Sequence, residues 1–272
     1  MNNILTISNF TIREAISRKI IVTFFAISTF TIIVFALLFG FVSAENFTQI
    51  STKNIPFDEM SAELVKGLKL IVVAPLFGGG LFLSIFSASS FIPNMLEKGN
   101  IDLLLSKPIS RTQIILGKFL GGVLIVFLNI AYLIISLWIL IGIKFSIWEP
   151  SFLYSILTIT FTFASLYSLI IFIGILTQSS VLAMMLSYLI FFIFSPILSA
   201  RDSIGYFLNN SIVNGIMEVL YYIIPKTSEL GTITTELAMG YGIEEFQPIL
   251  TSLAFLILVL YFSIIIFSKK DY

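Results

Sequence analysis

The chain alternates between long runs without a single charge and shorter segments where all the charges collect. The charge-free runs cover residues 20–44, 70–96, 119–143, 150–200 and 246–268. A helix crossing the hydrocarbon core of a bilayer needs about 20 mainly apolar residues. Four of the runs fit one crossing each. The run 150–200 is long enough for two, and its one polar cluster, Thr177-Gln178-Ser179-Ser180, marks the turn between them. The pattern therefore predicts six transmembrane helices near 20–42, 68–93, 118–142, 152–176, 181–198 and 248–268. A membrane β-barrel is excluded, because its strands alternate polar and apolar residues. The fold class expected is all-α, in a single transmembrane domain over 1–272, with no internal repeat.

Composition strengthens this reading. Of 272 residues 58% are hydrophobic and 11% charged, and Phe alone occurs 28 times. The mean hydropathy is +1.05. Soluble domains carry about a quarter charged residues.

The position of the charges gives an orientation. Six spans place both termini on one side with the 94–118 segment. That side holds nine basic residues (Arg13, Arg18, Lys19, Lys98, Lys107, Arg111, Lys118, Lys269 and Lys270) against four acidic ones. The other side has six basic and eleven acidic. Excess Lys and Arg mark the cytoplasmic side, so both termini are expected in the cytoplasm. The first apolar run is too long, and too far from the start, for a cleavable signal peptide. Ahead of it, residues 3–19 bring Leu5, Ile12 and Ile16 to one helical face with Glu14 and Arg18 roughly opposite. This is the pattern of a helix lying in the membrane interface. On the other side, 212–224 is apolar, too short to span, and stopped by Pro225; it reads as a re-entrant or interfacial helix.

Several chemistries fall away. With no Cys and no His, thiolate nucleophiles, histidine bases and the usual soft metal ligands are missing. No phosphate-binding GxxxxGK[ST] loop is present. No catalytic residue, cofactor site or metal site is expected, and balanced charge gives no reason to expect nucleic acid. Ion-coupled carriers bury ionisable groups at membrane depth, whereas the charges here lie outside the apolar runs or at their ends. Lys69 is expected to snorkel towards the outer side and Lys118 towards the inner side. Any uphill transport needs an energy source on another subunit.

Two glycine groups fall inside the spans. Gly78-Gly79-Gly80, following Pro75, weakens or bends the second span. Gly117 and Gly121 have the GxxxG spacing that lets helices approach closely. Asn129 and the face of Thr158, Thr160 and Thr162 are expected to hydrogen-bond between helices.

The 94–118 segment, NMLEKGNIDLLLSKPISRTQIILGK, is far longer than a plain helix connection, which takes about 2–8 residues. Glu97-Lys98-Gly99 is a helix exit. Ile101-Asp102-Leu103-Leu104-Leu105 is apolar but much too short to span, and Pro108 stops it. Ser110 is a natural N-cap for a helix entering the third span through Arg111. The expected product is a short cytoplasmic helix with an apolar surface of the sort partners cover.

This segment resembles the signature of permease subunits of ABC transporters of the type 2 exporter family. The matching features are Glu97, Gly99, Leu103-Leu104-Leu105, Pro108, Arg111 and Gly117-Lys118; Asn100 departs from the Thr or Ser often found after the glycine. The resemblance extends to the layout of the whole chain. It implies a permease of the bacterial or archaeal cytoplasmic membrane, bathed in lipid. It also implies a second permease copy, as a homodimer or with a close relative, and a cytosolic ATP-binding subunit that holds ATP and Mg. Residues 97–111 would form the coupling helix, with Leu103, Leu104 or Leu105 in a groove of the ATPase and Glu97, Asp102 and Arg111 around them. Similar subgroups include permeases of copper-enzyme maturation, such as nitrous oxide reductase assembly, and others for drugs or bacteriocins. From the residues alone, a membrane scaffold and an ion-coupled carrier stay open beside the permease.

Overall fold

The computed structural model describes residues 2–41, 57–106, 108–208 and 210–270. Among them the chain is helical, and six helices are long and apolar enough to cross a membrane: Ile21–Gly40, Glu63–Met95, Arg111–Phe145, Pro150–Thr177, Ser180–Ser199 and Gln247–Lys269. The fold is that of an all-α polytopic membrane protein.

Helix α1 (Asn2–Ser17) precedes the first span, α2 (Ile20–Phe41). Lys19, at φ +60, makes the bend between them. The second span is composite. It runs through α3 (Phe57–Pro75), a π-helical turn (Leu76–Gly80), α4 (Leu81–Ala88) and the short α5 (Phe91–Met95). The π turn coincides with the triple glycine just past Pro75, where the regular hydrogen-bond ladder is easiest to break.

After α6 (Asn100–Leu105) comes α7 (Arg111–Phe145), 35 residues long. At a rise of about 1.5 Å per residue it is a rod of roughly 50 Å, well beyond the hydrocarbon thickness of about 30 Å. Both of its ends are packed against other elements: Ile114 and Ile115 near the start and Ile141 near the end are buried, and Gly117 and Gly142 lie against Ile7 and Trp148. The fourth span, α8 (Tyr154–Thr177), follows a 3₁₀ turn at Pro150–Leu153. It ends at Gln178, in the left-handed region (φ +54), and Ser179 caps the next helix by accepting from Leu182 N. The fifth span joins α9 (Ser180–Leu189), a π turn (Ile190–Phe194) and α10 (Ser195–Ser199).

Helix α8 is the hub. Ile159, Phe163, Leu166, Tyr167, Ile170, Ile171 and Ile175 along its length are fully enclosed. Its buried hydroxyls mostly turn back to their own helix: Ser155 donates to Phe152 O (2.7 Å), Thr162 to Thr158 O (2.9 Å) and Ser168 to Ser165 O (2.7 Å). Among the described residues the expected threonine contacts between helices are not made: Thr158 also bonds within α8, and Thr160 Oγ1 is buried without a hydrogen-bond partner. Asn129 does bridge helices, its Oδ1 accepting from Ser28 Oγ on α2 at 3.0 Å.

The segment before the last span is more elaborate than its sequence indicates. It forms α11 (Arg201–Leu208), α12 (Ser211–Ile223) and α13 (Thr227–Met239), ahead of the sixth span α14 (Gln247–Lys269). Helix α12 is the expected short apolar helix, with Ile212, Ile216, Val219 and Ile223 exposed. Helix α13 folds into the bundle instead, burying Thr227, Leu230, Ile233, Thr234 and Ala238. It was not foreseen because its threonines read as polar. Thr234 satisfies its hydroxyl on Leu230 O (2.6 Å), so burial leaves it paired. At Gly231 any added Cβ would meet the Phe77 ring at 2.9 Å.

Candidate coupling surface and its ties to the bundle

One end of the bundle collects α1, α6, the start of α7 and the C-terminal end of α14. The turn into α6 requires Gly99, whose φ of +91 is strained for any side chain. Glu97 O accepts from Asn100 N (3.1 Å) and Ile101 N (3.2 Å). Asp102 reaches back to accept from Gly99 N at 3.3 Å, and Asn100 Nδ2 donates to Asn94 O at 2.9 Å. Beyond α6, Ser110 caps α7 in a reciprocal pair: its Oγ accepts from Gln113 N (3.3 Å) while Gln113 Oε1 accepts from Ser110 N (3.2 Å). This is the N-cap expected from the sequence.

The helix α6 has an inner and an outer side. Ile101 is 3% exposed and Leu104 is half-buried. Leu104 lines a cavity of about 500 Å³ between α1, α6 and the start of α7, with Phe10, Glu14, Arg18 and Lys118 in the same wall. Glu97, Lys98, Asp102, Ser106 and Pro108 are exposed. The side chains of Leu103 and Leu105, and all of Lys107, lie outside the described residues. Leu104 thus faces its own bundle, and the outward surface is polar in the residues described.

Arg111, expected to contact a partner, is engaged within the chain. Its Nη1 donates to the carbonyl oxygens of Phe267 (2.9 Å), Ser268 (3.2 Å) and Lys270. These are C-terminal carbonyls that α14 has no helical donors left to satisfy. Lys270 Nζ in turn donates to Ile175 O, at the end of α8, at 2.6 Å. The last span is thereby tied to the third and fourth.

The GxxxG pair receives α1. A Cβ on Gly117 would come within 2.6 Å of Ile7 Cβ, and one on Gly121 within 2.7 Å of Thr11 Cβ. The packed face of α1 is consequently Ile7, Ser8, Thr11 and Ala15, while Leu5 and Ile16 are exposed. Gly122, one residue on, accepts the ring of Tyr167, whose OH donates to Lys118 O at 3.3 Å.

Neither Lys69 nor Lys118 snorkels. Lys118 is 1% exposed and its Nζ donates to Glu14 Oε2 at 2.7 Å, with Arg18 on the other oxygen at 3.1 Å. At the opposite end Lys69, 2% exposed, pairs with Glu149, whose carbonyl also accepts from Trp138 Nε1 at 2.9 Å. Each lysine stands near a span end as expected, but folding brings a carboxylate from a remote segment to it. No local pattern reveals such a pairing.

A third charged group surrounds Tyr221 at that opposite end. The Arg201 guanidinium lies 3.5 Å and the Lys226 ammonium 3.8 Å from its ring centre. Burial holds the Lys226 ammonium below its ordinary pKa, with Glu229 acting against that shift. Burial pushes the Tyr221 phenol up to about 12, and Glu229 adds to it.

Among the described residues no group of three or more His, Cys, Asp or Glu side chains could hold a metal ion. Apolar spans around a central helix, charges confined to the two ends, and a short helix hung from one of them define a multi-pass membrane protein. Residues 17–272 match the family described as ABC-2 family transporter protein, and the chain belongs to that family. It is therefore a transmembrane subunit of an ABC transporter, in a family of non-catalytic permeases that generally work with an ATP-binding subunit. No curated protein matches the chain.

Proposed function

We propose that the chain is the permease of an ATP-driven exporter, driven by a separate cytosolic ATP-binding subunit that docks on residues 97–111. The observation carrying this is α6 itself. It is a six-residue helix delimited by Gly99 and Pro108, presenting Glu97, Lys98, Asp102 and Ser106 at the end richest in Lys and Arg. The positive-inside bias supports a cytoplasmic placement of that end, and the family resemblance supports a bacterial or archaeal cell. ATP and Mg belong to the partner, and a second copy of the permease or a close relative completes the translocation path. The exposed apolar faces of α2 and α9 are available to that second chain or to lipid.

The resemblance to permeases of copper-enzyme maturation, such as nitrous oxide reductase assembly, supports a subgroup assignment. Accumulation of inactive copper enzyme in a deletion strain tests it. The docking reading is tested by affinity purification in mild detergent, identification of the bound proteins and an ATPase assay. Recovery of a nucleotide-hydrolysing subunit with two permease chains is expected. Recovery of the permease without any ATPase would refute the reading.

A further inference from the structure

The spans α2, α3–α4 and α7 do not close on one another. Near the middle of all three they leave a cavity of about 400 Å³, within the range of about 300–1,000 Å³ that holds drug-sized ligands. Among the described residues no charged side chain lines it. Its rim includes Ile27, Ile71, Phe82 and Leu83, all exposed on the surface a bilayer would cover. The opening is thus sideways, towards lipid.

Polar groups are few and mostly spent. The hydroxyls of Thr31 and Ser84 donate to Ile27 O (3.0 Å) and Gly80 O (2.7 Å) of their own helices. Ser28 donates to Asn129 Oδ1 at 3.0 Å, which uses the acceptor of that amide; its NH₂ group has no hydrogen-bond partner among the described residues. An unpaired amide donor among apolar walls is costly, and an acceptor on a bound molecule removes the cost.

The glycines of the wall also differ from those where helices cross in close contact. At Gly117, Gly121 and Gly122 a Cβ would collide with a neighbouring helix, so packing explains them. At Gly79 a Cβ would meet nothing within 4 Å, and at Gly80 only its own helix's Leu76 at 2.9 Å. These two keep volume open where no helix enters.

We propose that this cavity binds an uncharged amphipathic molecule entering from the bilayer, with its apolar body among Phe24, Phe35 and Leu133 and a carbonyl, ether or hydroxyl oxygen accepting from Asn129. This is the chemical class of the cargo. Charge-free walls reject a phosphate or carboxylate head, whose desolvation nothing in the cavity offsets. Only the cargo assignment rests on the transporter reading given above; the binding site stands without it.

A monoacylglycerol carrying a diazirine in its acyl chain is the probe, added to the purified full-length permease in nanodiscs and photolysed. Labelled peptides should map to residues 24–35 and 71–84, and unlabelled monoacylglycerol should compete saturably. Gly79→Leu, filling the space, and Asn129→Leu, removing the donor, should each cut labelling by about five-fold or more. Gly78→Leu, whose added carbons also meet open space away from the cavity lining, should leave it unchanged. Labelling spread evenly over all lipid-facing spans without competition, or unaltered in both variants, overturns the site. With the ATP-binding subunit present, monoacylglycerol should raise ATP hydrolysis in the wild type and not in Gly79→Leu. Site labelling without that stimulation overturns the cargo assignment. Absence of any ATPase partner overturns the transporter reading, while labelling of the permease alone still decides the site.

Discussion

Lys118 and Glu14 are 104 positions apart, yet ammonium and carboxylate meet at 2.7 Å with the lysine sealed from solvent. The pair fastens the N-terminal helix α1 to the base of α7, beside the cavity that Leu104 of α6 also lines.

Breaking the pair on one side leaves a buried charge. Glu14→Gln should destabilise the protein by about 3 kcal/mol, whereas the double change Glu14→Gln with Lys118→Met should cost less, because no ion is then stranded. Thermal unfolding in detergent across the four-member cycle measures the difference. A loss in the double variant equal to the sum of the two single losses would show that the pair carries no coupling.

The glycine contacts predict where α1 is held. Gly117→Val and Gly121→Val should each cost about 1–3 kcal/mol by overpacking against Ile7 and Thr11. Hydrogen exchange in residues 2–17 should quicken in both. Gly78→Val, where the added carbon meets open space, should leave exchange in that segment at the wild-type rate.

The two sides of α6 predict separable defects. Leu104→Asp places a carboxylate in the cavity wall beside Glu14, so it should lower thermal stability as well as ATPase recovery. Asp102→Lys reverses a charge on the outward side and removes the acceptor for Gly99 N, so it should weaken ATPase co-purification at a stability cost smaller than that of Leu104→Asp. Co-purification and unfolding midpoint, measured on the same preparations, distinguish the two. A stability loss equal to that of Leu104→Asp would place Asp102 in folding and not in docking.

The chain has no cysteine, which makes topology directly readable. With both termini in the cytoplasm, Ser203→Cys should react with an impermeant thiol reagent applied to intact cells. Ser106→Cys and Ser268→Cys should react only after permeabilisation. Labelling of Ser106→Cys in intact cells reverses the orientation.

Lys226 sets a pH dependence. Its folded-state pKa is lowered by burial, so between that value and about 10.4 the unfolded chain binds the proton that the folded one has released. Its contribution to stability therefore rises with pH across this window. Tyr221 acts oppositely, but only above about 10, where the unfolded phenol ionises before the folded one. The unfolding midpoint of the wild type relative to Lys226→Met should thus increase from about pH 8 to pH 10. A constant difference would remove Lys226 as the titrating group.

Much of the architecture is local information. Spans arise because charge-free runs must escape water, and their lengths match the bilayer, so six helices follow from the gaps between charges. The Gln178–Ser179 turn, the Ser110 cap and the Gly99 exit are likewise short-range: each depends on a residue type at one position. The same holds for α6, too short to cross and stopped by Pro108.

What the chain order could not supply is which helix meets which. Lys69 and Lys118 look like lysines reaching for water until Glu149 and Glu14 arrive from other segments. Arg111 looks available until the end of α14 presents its carbonyls. Leu104 reads as an exposed anchor, but the approach of α1 turns it inward. Both glycine groups lack side chains inside a span, and only tertiary packing fills the GxxxG pair with α1 while leaving Gly78 and Gly79 beside open space. Hydrophobic periodicity reports that a surface is apolar. The identity of its neighbour depends on shape and charge contributed by residues a hundred positions away, and those meet only when the bundle closes.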